Sequence, residues 1–255
     1  MFAIVGGTGL DSLSCAQVNR RHNITSKYGP TSDAVLELEF EGSSFFFLPR
    51  HAQGHRLAPH RINYRANIWA LQKLGVEQIL AVNAVGGIHP DFSTGDLVVP
   101  HQIIDYTYGR EATFFDGVAE PLRHADFSDP FSSVLRSAIS SEASAGRKTG
   151  ARTLHDFEVY ACTQGPRLET AAEIQRLKRD GCDLVGMTAM PEAVLARELG
   201  MDYAPICMVV NAAAGLDEKP LSEQEIVRES ANMAQDASDI LVRVILADEQ
   251  VDNDQ

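Results

Sequence analysis

The sequence predicts an α/β protein with a central, largely buried sheet flanked by helices. Short runs rich in β-branched and aromatic residues alternate with stretches of helical periodicity. Glycine-rich turns and polar residues follow several of the apolar runs. The chain has 255 residues, of which 44% are hydrophobic and 22% charged, so it has an ordinary globular composition and can bury a large core. With no internal repeat or linker, a single domain is expected over residues 1–247, and the acidic tail 248–255 is expected to fray.

The first half of the chain supplies strands and one helix. Residues 2–5 form an apolar run that leads into Gly6-Gly7-Thr8-Gly9 and is predicted to be a strand. Two more runs, 34–40 and 44–48, predict a hairpin around the Glu41-Gly42 turn. Apolar residues on one face predict a helix over 61–75 that ends at Gly75.

The second half repeats the alternation. Ser222 followed by Glu225 has the pattern of a capping box and predicts a closing helix over 222–246. The Ser/Ala/Gly-rich stretch 137–150 is interpreted as polar, with a mobile surface connection at its end. The other predicted strands are 78–83, 96–105, 159–163, 184–186 and 204–210, and the other predicted helices are 170–180 and 191–199.

Charge and cysteine content exclude several classes of function. The formal charge is −13 and the isoelectric point is near 5.0, which argues against nucleic acid or an anionic membrane as the main partner. The four cysteines show no CxxC spacing, and no metal-binding motif is found, so we expect no metal. No apolar run approaches ~18 residues and no signal peptide is recognised, so a cytoplasmic protein is expected.

Hydrogen-bond donors follow four predicted strands. The glycines around Thr8 would let the backbone approach an oxyanion, although a tight strand-to-helix turn explains them equally well. Arg50 and His51 follow the second strand of the hairpin, and a guanidinium can bind an anion bidentately. Because sites in α/β sheets lie at strand ends, these donors, with Asn83-Ala84 and Thr188, could converge on one phosphate.

Several sequence blocks together resemble the trimeric purine nucleoside phosphorylase and methylthioadenosine phosphorylase family, and within it the bacterial S-methyl-5'-thioinosine phosphorylase branch. The resemblance covers nearly the whole chain, in order. The blocks are IVGGTGL (4–10), PRH (49–51), NYRANIWAL (63–71), NAVGGI (83–88), QGPRLET (164–170) and GMTAMPEAVLARE (186–198).

The resemblance implies a single-domain phosphorylase fold with a central mixed sheet, a homotrimer, and reversible phosphorolysis of an N-ribosidic bond. Inorganic phosphate would be a co-substrate, and no cofactor is implied. Met187 would pack on the ribose, and His124 lies in a segment that would reach the 5' pocket of the neighbouring subunit, although a lone histidine is more often structural. The implied phosphate-binding residues are Thr8, Arg50, His51, Asn83, Ala84 and Thr188.

The resemblance also places Glu169 and Asn211 where 6-oxopurine enzymes read and activate the base, as catalytic residues. A carboxylate accepts a hydrogen bond from N1–H and an amide donates to O6 or N7, and only a 6-oxopurine offers that N1–H. Adenosine-type enzymes carry Asp at the Asn211 position and again at the position of Ala213. The structural alternatives are a helix cap for Glu169 and a turn residue for Asn211.

The 5' substituent of the nucleoside is left open. By alignment, Glu223 occupies a position that is apolar in the methylthio enzymes, with Ile226 one turn further on, whereas a one-residue shift would place Leu221 or Ser222 there. Likeness over the whole chain favours S-methyl-5'-thioinosine, which would give hypoxanthine and 5-methylthioribose 1-phosphate. Glu223 favours a 5'-hydroxyl and hence inosine or guanosine. Methylthioadenosine is a further alternative.

Other classes of protein remain as rivals. A hydrolytic nucleosidase would lack the phosphate donors, and a non-catalytic nucleoside-binding protein would bind without turnover. A nicotinamide dehydrogenase is disfavoured because Ser12 replaces the third glycine of the dinucleotide fingerprint and no acidic residue lies within 19–23.

Overall fold

A computed structural model describes residues 1–145, 153–217 and 222–253. Strands and helices alternate along most of it. The strands are β1 (Phe2–Gly6), β2 (Gln17–His22), β3 (Thr25–Ser26), β4 (Gly29–Pro30), β5 (Val35–Phe40), β6 (Ser43–Pro49), β7 (Gln78–Gly87), β8 (Leu97–Val99), β9 (Gln102–Asp105), β10 (Leu154–Asp156), β11 (Val159–Cys162), β12 (Leu184–Gly186) and β13 (Asp202–Ala212). The helices are α1 (Tyr64–Lys73), α2 (Ser133–Ala145), α3 (Ala171–Arg179), α4 (Ala189–Glu198) and α5 (Glu223–Asn253), with a 3₁₀ turn over Pro59–Arg61.

One mixed sheet organises the described residues. Its main path runs β10-β8-β13-β7-β1-β6-β5-β2, while β12 pairs with both β7 and β11, and β9 pairs with β11. The strands β6, β1, β7 and β13 are mutually parallel neighbours, so their carboxyl ends lie at one edge. Every residue of β1 is buried, as expected for a strand covered on both faces.

Helices cover both faces of the sheet. On one face, Ile68 and Leu71 of α1 and Leu195 of α4 pack in one hydrophobic cluster. On the other face, α2 and α5 contribute Ile139 and Leu241 to a second cluster. Because each face buries an apolar helix stripe, the predicted α/β class with a central mixed sheet is confirmed.

Several element bounds differ from the predictions. The predicted helix 61–75 is a 3₁₀ turn followed by α1, because Asn63 caps α1 by accepting a hydrogen bond from the Ala66 N–H. The predicted strand 96–105 is two strands, β8 and β9, and α4 has non-helical backbone at Met190 and Pro191.

The predictions around α2 and the carboxyl terminus also need correction. Helix α2 was not predicted, although it covers most of the Ser/Ala/Gly-rich stretch 137–150. The end of that stretch, where a mobile connection is expected, lies outside the described residues. Helix α5 continues to Asn253, beyond the predicted end of the closing helix at residue 246. The strands β2, β3, β4 and β10 were not predicted. Within the described residues, no helix is both long and apolar enough to cross a membrane.

Candidate active site

A cleft of about 540 Å³ lies at the edge where the parallel strands end. Twelve of the thirteen predicted site residues line it: Thr8, Arg50, His51, Asn83, Ala84, Glu169, Met187, Thr188, Asn211, Ala213, Glu223 and Ile226. The thirteenth, His124, is exposed and does not line the cleft. A second groove of about 610 Å³, near Cys15, Asp239 and Arg243, contains none of the predicted site residues.

The glycine-rich turn after β1 is shaped by close backbone approach. A Cβ atom at Gly6 would clash with the Leu10 carbonyl, and one at Gly7 would clash with the Val82 carbonyl. The Leu10 N–H also donates to the Gly7 carbonyl at 3.0 Å. The turn is therefore both tight and placed at the cleft, where Thr8 lies half-buried.

Arg50 is fully buried beneath the cleft and bound to a carboxylate. Its Nε and Nη2 donate to the two carboxylate oxygens of Glu192, each at 2.7 Å, and Nη1 donates to the Val82 carbonyl at 3.1 Å. Tyr203 donates a third hydrogen bond to Glu192 at 2.9 Å. Burial alone would lower the pKa of Arg50, but Glu192 outweighs it and the pKa is raised above its ordinary value. Glu192 thus occupies the Nε and Nη2 side of the guanidinium, so an anion cannot bind on that side. Only the N–H groups of Nη1 and Nη2 that point away from Glu192 remain for an anion.

Asn83 orients Thr188 at the cleft floor. The Asn83 Nδ2 group donates to Thr188 Oγ1 at 3.2 Å and to the Tyr160 hydroxyl at 3.4 Å. Its Oδ1 accepts from Arg50 Nη2 at 3.4 Å. Since Thr188 Oγ1 accepts from Asn83, the Thr188 hydroxyl proton is free to point at another acceptor.

Two histidines stack at one wall of the cleft. The rings of His51 and His55 lie 4.2 Å apart, and His51 Nδ1 is 2.7 Å from the Leu57 carbonyl. Burial first, and then the Arg50 charge, lower the pKa of His51 to about 3. His51 is therefore neutral at physiological pH, with its proton on Nδ1 and an acceptor lone pair on Nε2.

Glu169 is held by a threonine and does not cap a helix. Thr163 Oγ1 donates to Glu169 Oε1 at 2.5 Å. The cap of α3 is Thr170, which forms a capping box with Glu173. The helix-cap alternative for Glu169 is therefore wrong.

Asn211 lies in β13 beside a β-bulge, not in a turn. The register between β13 and β7 shifts between Val209 and Asn211, and a bulge of this kind re-aims the side chains next to it. Asn211 Nδ2 donates to the Ala212 carbonyl at 2.7 Å, which leaves one N–H of the amide. A Cβ at Gly86 would lie 3.3 Å from Asn211 Nδ2, so glycine gives the amide its room.

The remaining predicted residues line the outer part of the cleft. A Cβ at Gly165 would clash with the Met187 sulfur, so this glycine lets Met187 pack close to the backbone. Glu223 and Ile226 reach the cleft from the first turns of α5. Ser222 Oγ accepts from the Glu225 N–H at 3.4 Å, as predicted for the cap, and Leu221 lies outside the described residues.

Sequence reasoning missed residues that support the predicted set. Glu192 lay inside a recognised block and Thr163 directly before one, but neither had an assigned role. No sequence pattern pointed to Arg110. It donates to the carbonyls of Gln164 and Met187 at 2.8 Å each, and so links two segments that contribute residues to the cleft. His55 and Arg56 also line the cleft. In the described part of the chain, no group of three or more His, Cys, Asp or Glu side chains could hold a metal ion.

Comparison with known proteins identifies the family. Residues 17–246 match the Phosphorylase superfamily. The chain belongs to this superfamily. A probable S-methyl-5'-thioinosine phosphorylase of Pseudomonas syringae pv. tomato is 50% identical over 230 residues, which cover 89% of this chain and 90% of the relative. The 6-oxopurine nucleoside phosphorylase of Pyrococcus furiosus is 43% identical over 250 residues, or 96% of this chain and 90% of the relative.

The fold also matches solved structures of the superfamily. Methylthioadenosine phosphorylase from Schistosoma mansoni, solved in complex with adenine, superposes with a TM-score of 0.90 at 29% identity, over 98% of this chain and 92% of that one. The predicted family and phosphorylase fold are thus confirmed.

Proposed function

We propose that this phosphorylase cleaves the N-ribosidic bond of a 6-oxopurine nucleoside with inorganic phosphate, and that its substrate is S-methyl-5'-thioinosine. The proposal rests on one observation: the predicted phosphate-binding residues and the predicted base-reading residues line the same cleft. The phosphate donors gather around Arg50 and Thr188, and the base-reading pair is Glu169 and Asn211. The names of the Pseudomonas and Pyrococcus relatives support the same base class.

In this mechanism, a phosphate dianion lies beneath C1' of the ribose and attacks it as the bond to the purine breaks. Thr8, Arg50 and Thr188 would hold the dianion with N–H and O–H donors, together with the backbone at Ala84. His51, being neutral, would accept a hydrogen bond from the P–O–H group of the phosphate dianion, which keeps its proton. Holding the nucleophile in place is a proximity effect worth roughly 7–11 kcal/mol in well-oriented systems.

The purine leaves with negative charge, which Asn211 would stabilise by donating to it. A preorganised donor of this kind is typically worth about 3–4 kcal/mol. The second oxygen of Glu169 would accept the N1–H and orient the base. Met187 would pack on the ribose, and Ala213 leaves room where adenosine-type enzymes have a second Asp.

A second candidate is an inosine or guanosine phosphorylase. It is favoured by Glu223, which lines the cleft and interacts electrostatically with His55. These two polar groups would suit a 5'-hydroxyl, whereas Ile226 and Val227 on the same helix would suit a methylthio group. We favour the methylthio substrate because the Pseudomonas relative, at 50% identity, carries that name.

The proposal includes a homotrimer in which His124 of one subunit completes the 5' pocket of the next. The exposure of His124, together with that of Tyr108 and Leu122 nearby in the chain, supports a contact surface there. Sedimentation of the purified protein tests the trimer. A monomer would remove the role proposed for His124 but leave the cleft chemistry intact.

The decisive experiment is turnover of S-methyl-5'-thioinosine, inosine and S-methyl-5'-thioadenosine, each with and without phosphate. We expect phosphate-dependent cleavage with the highest kcat/KM for S-methyl-5'-thioinosine. If inosine has the highest kcat/KM, the 5' pocket binds a hydroxyl group and Glu223 is the residue that binds it. If S-methyl-5'-thioadenosine has the highest kcat/KM, the assignment of Glu169 and Asn211 to a 6-oxopurine is refuted. Cleavage without phosphate would refute the reaction itself.

A further inference from the structure

Thr163 is fixed at the base side of the cleft by its backbone as well as its side chain. Its N–H donates to the Gly186 carbonyl at 2.8 Å, and its carbonyl accepts from Arg110 Nη2 at 3.3 Å. With the backbone held at both ends, the hydroxyl has little freedom, and it donates to Glu169 Oε1 at 2.5 Å. Its other acceptor within reach, the Gly186 carbonyl, is farther away at 3.4 Å.

This hydrogen bond occupies one of the two carboxylate oxygens of Glu169. A hydroxyl that donates to a carboxylate oxygen makes a charge-assisted hydrogen bond, and bonds of this kind are short and strong. Within the described part of the chain, no protein group hydrogen-bonds the second oxygen, Oε2. Thr163 therefore leaves Glu169 with one committed oxygen and one free acceptor.

The second oxygen of Glu169 is the one that can read the base. A carboxylate oxygen accepts, and so it matches the N1–H of a 6-oxopurine. A 6-aminopurine has a bare N1 and offers no proton to this oxygen. Discrimination between the two bases thus requires that the second oxygen be held in position to accept.

We infer that Thr163 is a specificity-determining positioning residue: it holds Glu169 as an acceptor and thereby excludes 6-aminopurine nucleosides. The inference rests on the proposed function, because it assumes that Glu169 reads the base. It adds a residue that acts through Glu169 and does not touch the substrate.

Other groups near Glu169 leave room for this role. Arg167, two residues away, interacts electrostatically with Glu169, but it is exposed and its guanidinium is paired with Glu173 at 2.7 Å. An exposed, paired charge is screened by solvent and salt. The neighbouring cleft residues are Met187, directly after β12, and Asn211 on β13, and both are uncharged. The Thr163 hydroxyl is therefore the direct donor to this carboxylate.

The test compares Thr163→Val with Thr163→Ser. Valine keeps the shape and β-branching but removes the hydroxyl, whereas serine keeps the hydroxyl and loses a methyl group. The readout is the ratio of kcat/KM for S-methyl-5'-thioinosine to that for S-methyl-5'-thioadenosine, which differ only in the base. We expect valine to lower this ratio roughly tenfold to a hundredfold and serine to preserve it.

Binding of the free bases gives an independent readout. In the valine variant, the Kd of hypoxanthine should rise and that of adenine should stay near the wild-type value, because only hypoxanthine offers an N1–H to the oriented oxygen. A purely structural role predicts the opposite order of damage, with valine tolerated and serine impaired. Thr163→Ala, which also lacks the hydroxyl, should reproduce the valine result and serves if valine does not fold.

Two failures can be told apart. If the wild-type protein prefers S-methyl-5'-thioinosine, but the folded valine or alanine variant keeps the wild-type ratio and the wild-type affinity for hypoxanthine, the role of Thr163 is refuted and the proposed function stands. If the wild-type protein shows no phosphate-dependent cleavage of 6-oxopurine nucleosides, the proposed function fails, and this inference fails with it.

Discussion

The buried pair of Arg50 and Glu192 allows a quantitative prediction for Glu192→Gln. The substitution keeps the size of the side chain but replaces an ionised acceptor with a neutral amide. Arg50 is completely buried and Glu192 is only 1% exposed, so solvent cannot replace the lost charge. The new amide N–H₂ group would also face a guanidinium donor, so one of the two 2.7 Å hydrogen bonds is lost outright.

The expected loss of stability is large. Removing one partner of a buried ion pair typically costs about 3–5 kcal/mol, because an uncompensated charge is left in the interior. For a chain of this size, 1 kcal/mol corresponds to roughly 2–4 °C, so the melting temperature should fall by roughly 6–20 °C. A bound phosphate would supply a replacement negative charge near Arg50. Phosphate should therefore raise the melting temperature of Glu192→Gln by more degrees than it raises that of the wild type.

Thermal unfolding at constant ionic strength, with chloride exchanged for phosphate, measures both effects. Glu198→Gln is a matched control on the same helix, because Glu198 accepts from Thr113 and Phe114 and has no arginine partner among the described residues. Its phosphate response should equal that of the wild type. If Glu192→Gln melts within about 2 °C of the wild type, the lost stability is only about 1 kcal/mol or less, and the argument for a costly unpaired charge is refuted. An equal phosphate response in the two proteins would refute the placement of phosphate beside Arg50.

Three further predictions follow from the site and its surroundings. Asn211→Asp should shift the kcat/KM ratio toward S-methyl-5'-thioadenosine, because an acceptor replaces the donor to the base; an unchanged ratio would contradict its base-reading role. Arg110→Lys should lower kcat/KM for both nucleoside and phosphate roughly tenfold or more, because one ammonium cannot replace a guanidinium that donates to several carbonyls. An effect on only one of the two substrates would show that Arg110 does not link the segment of Gln164 to the segment of Met187. Glu158→Gln should stabilise the protein above pH 7 by about 1 kcal/mol after allowance for solvent screening. Burial first, and then Asp183, raise the pKa of Glu158 from 4.5 to about 7, so the folded state keeps a proton that the unfolded state releases. Stability is therefore lost as the pH rises from 4.5 through 7, and melting curves of both proteins at pH 4.5 and pH 8 should differ only at pH 8.

The parallel centre of the sheet could be predicted because its strands carry their signal locally. Each is an apolar run followed by a glycine or polar turn, which is typical of strands buried on both faces. By contrast, β2 has the polar sequence QVNRRH and is almost fully exposed, and it is a strand because it pairs with β5 at the sheet edge. Helix α2 has a Ser-rich sequence, and only its packing of Leu135 and Ile139 against the sheet reveals the helical stripe.

The residues that line the cleft could be predicted better than those that support it. Glu192 looks like a solvent-facing residue at the start of a helix, and its partner Arg50 is 142 positions away in the chain. Arg110 lies in an irregular segment, and its partners are backbone carbonyls, which leave no trace in a sequence. Contacts of this kind depend on the tertiary fold and have no local periodicity.

The charges around the cleft suggest how the protein would use phosphate rather than merely bind it. Arg50 is neutralised by Glu192, His51 is neutral, and Arg56 lies 3.6 Å from Asp33. A phosphate in the proposed position would thus be held mainly by N–H and O–H dipoles, with little net positive charge to cancel its own. Its negative field would then remain available to the ribose, where positive charge grows as the bond to the purine breaks. An arginine without its glutamate would bind phosphate more tightly but screen that field. Glu192→Gln should therefore lower the KM for phosphate and lower kcat, whereas damage to the fold alone would not tighten phosphate binding.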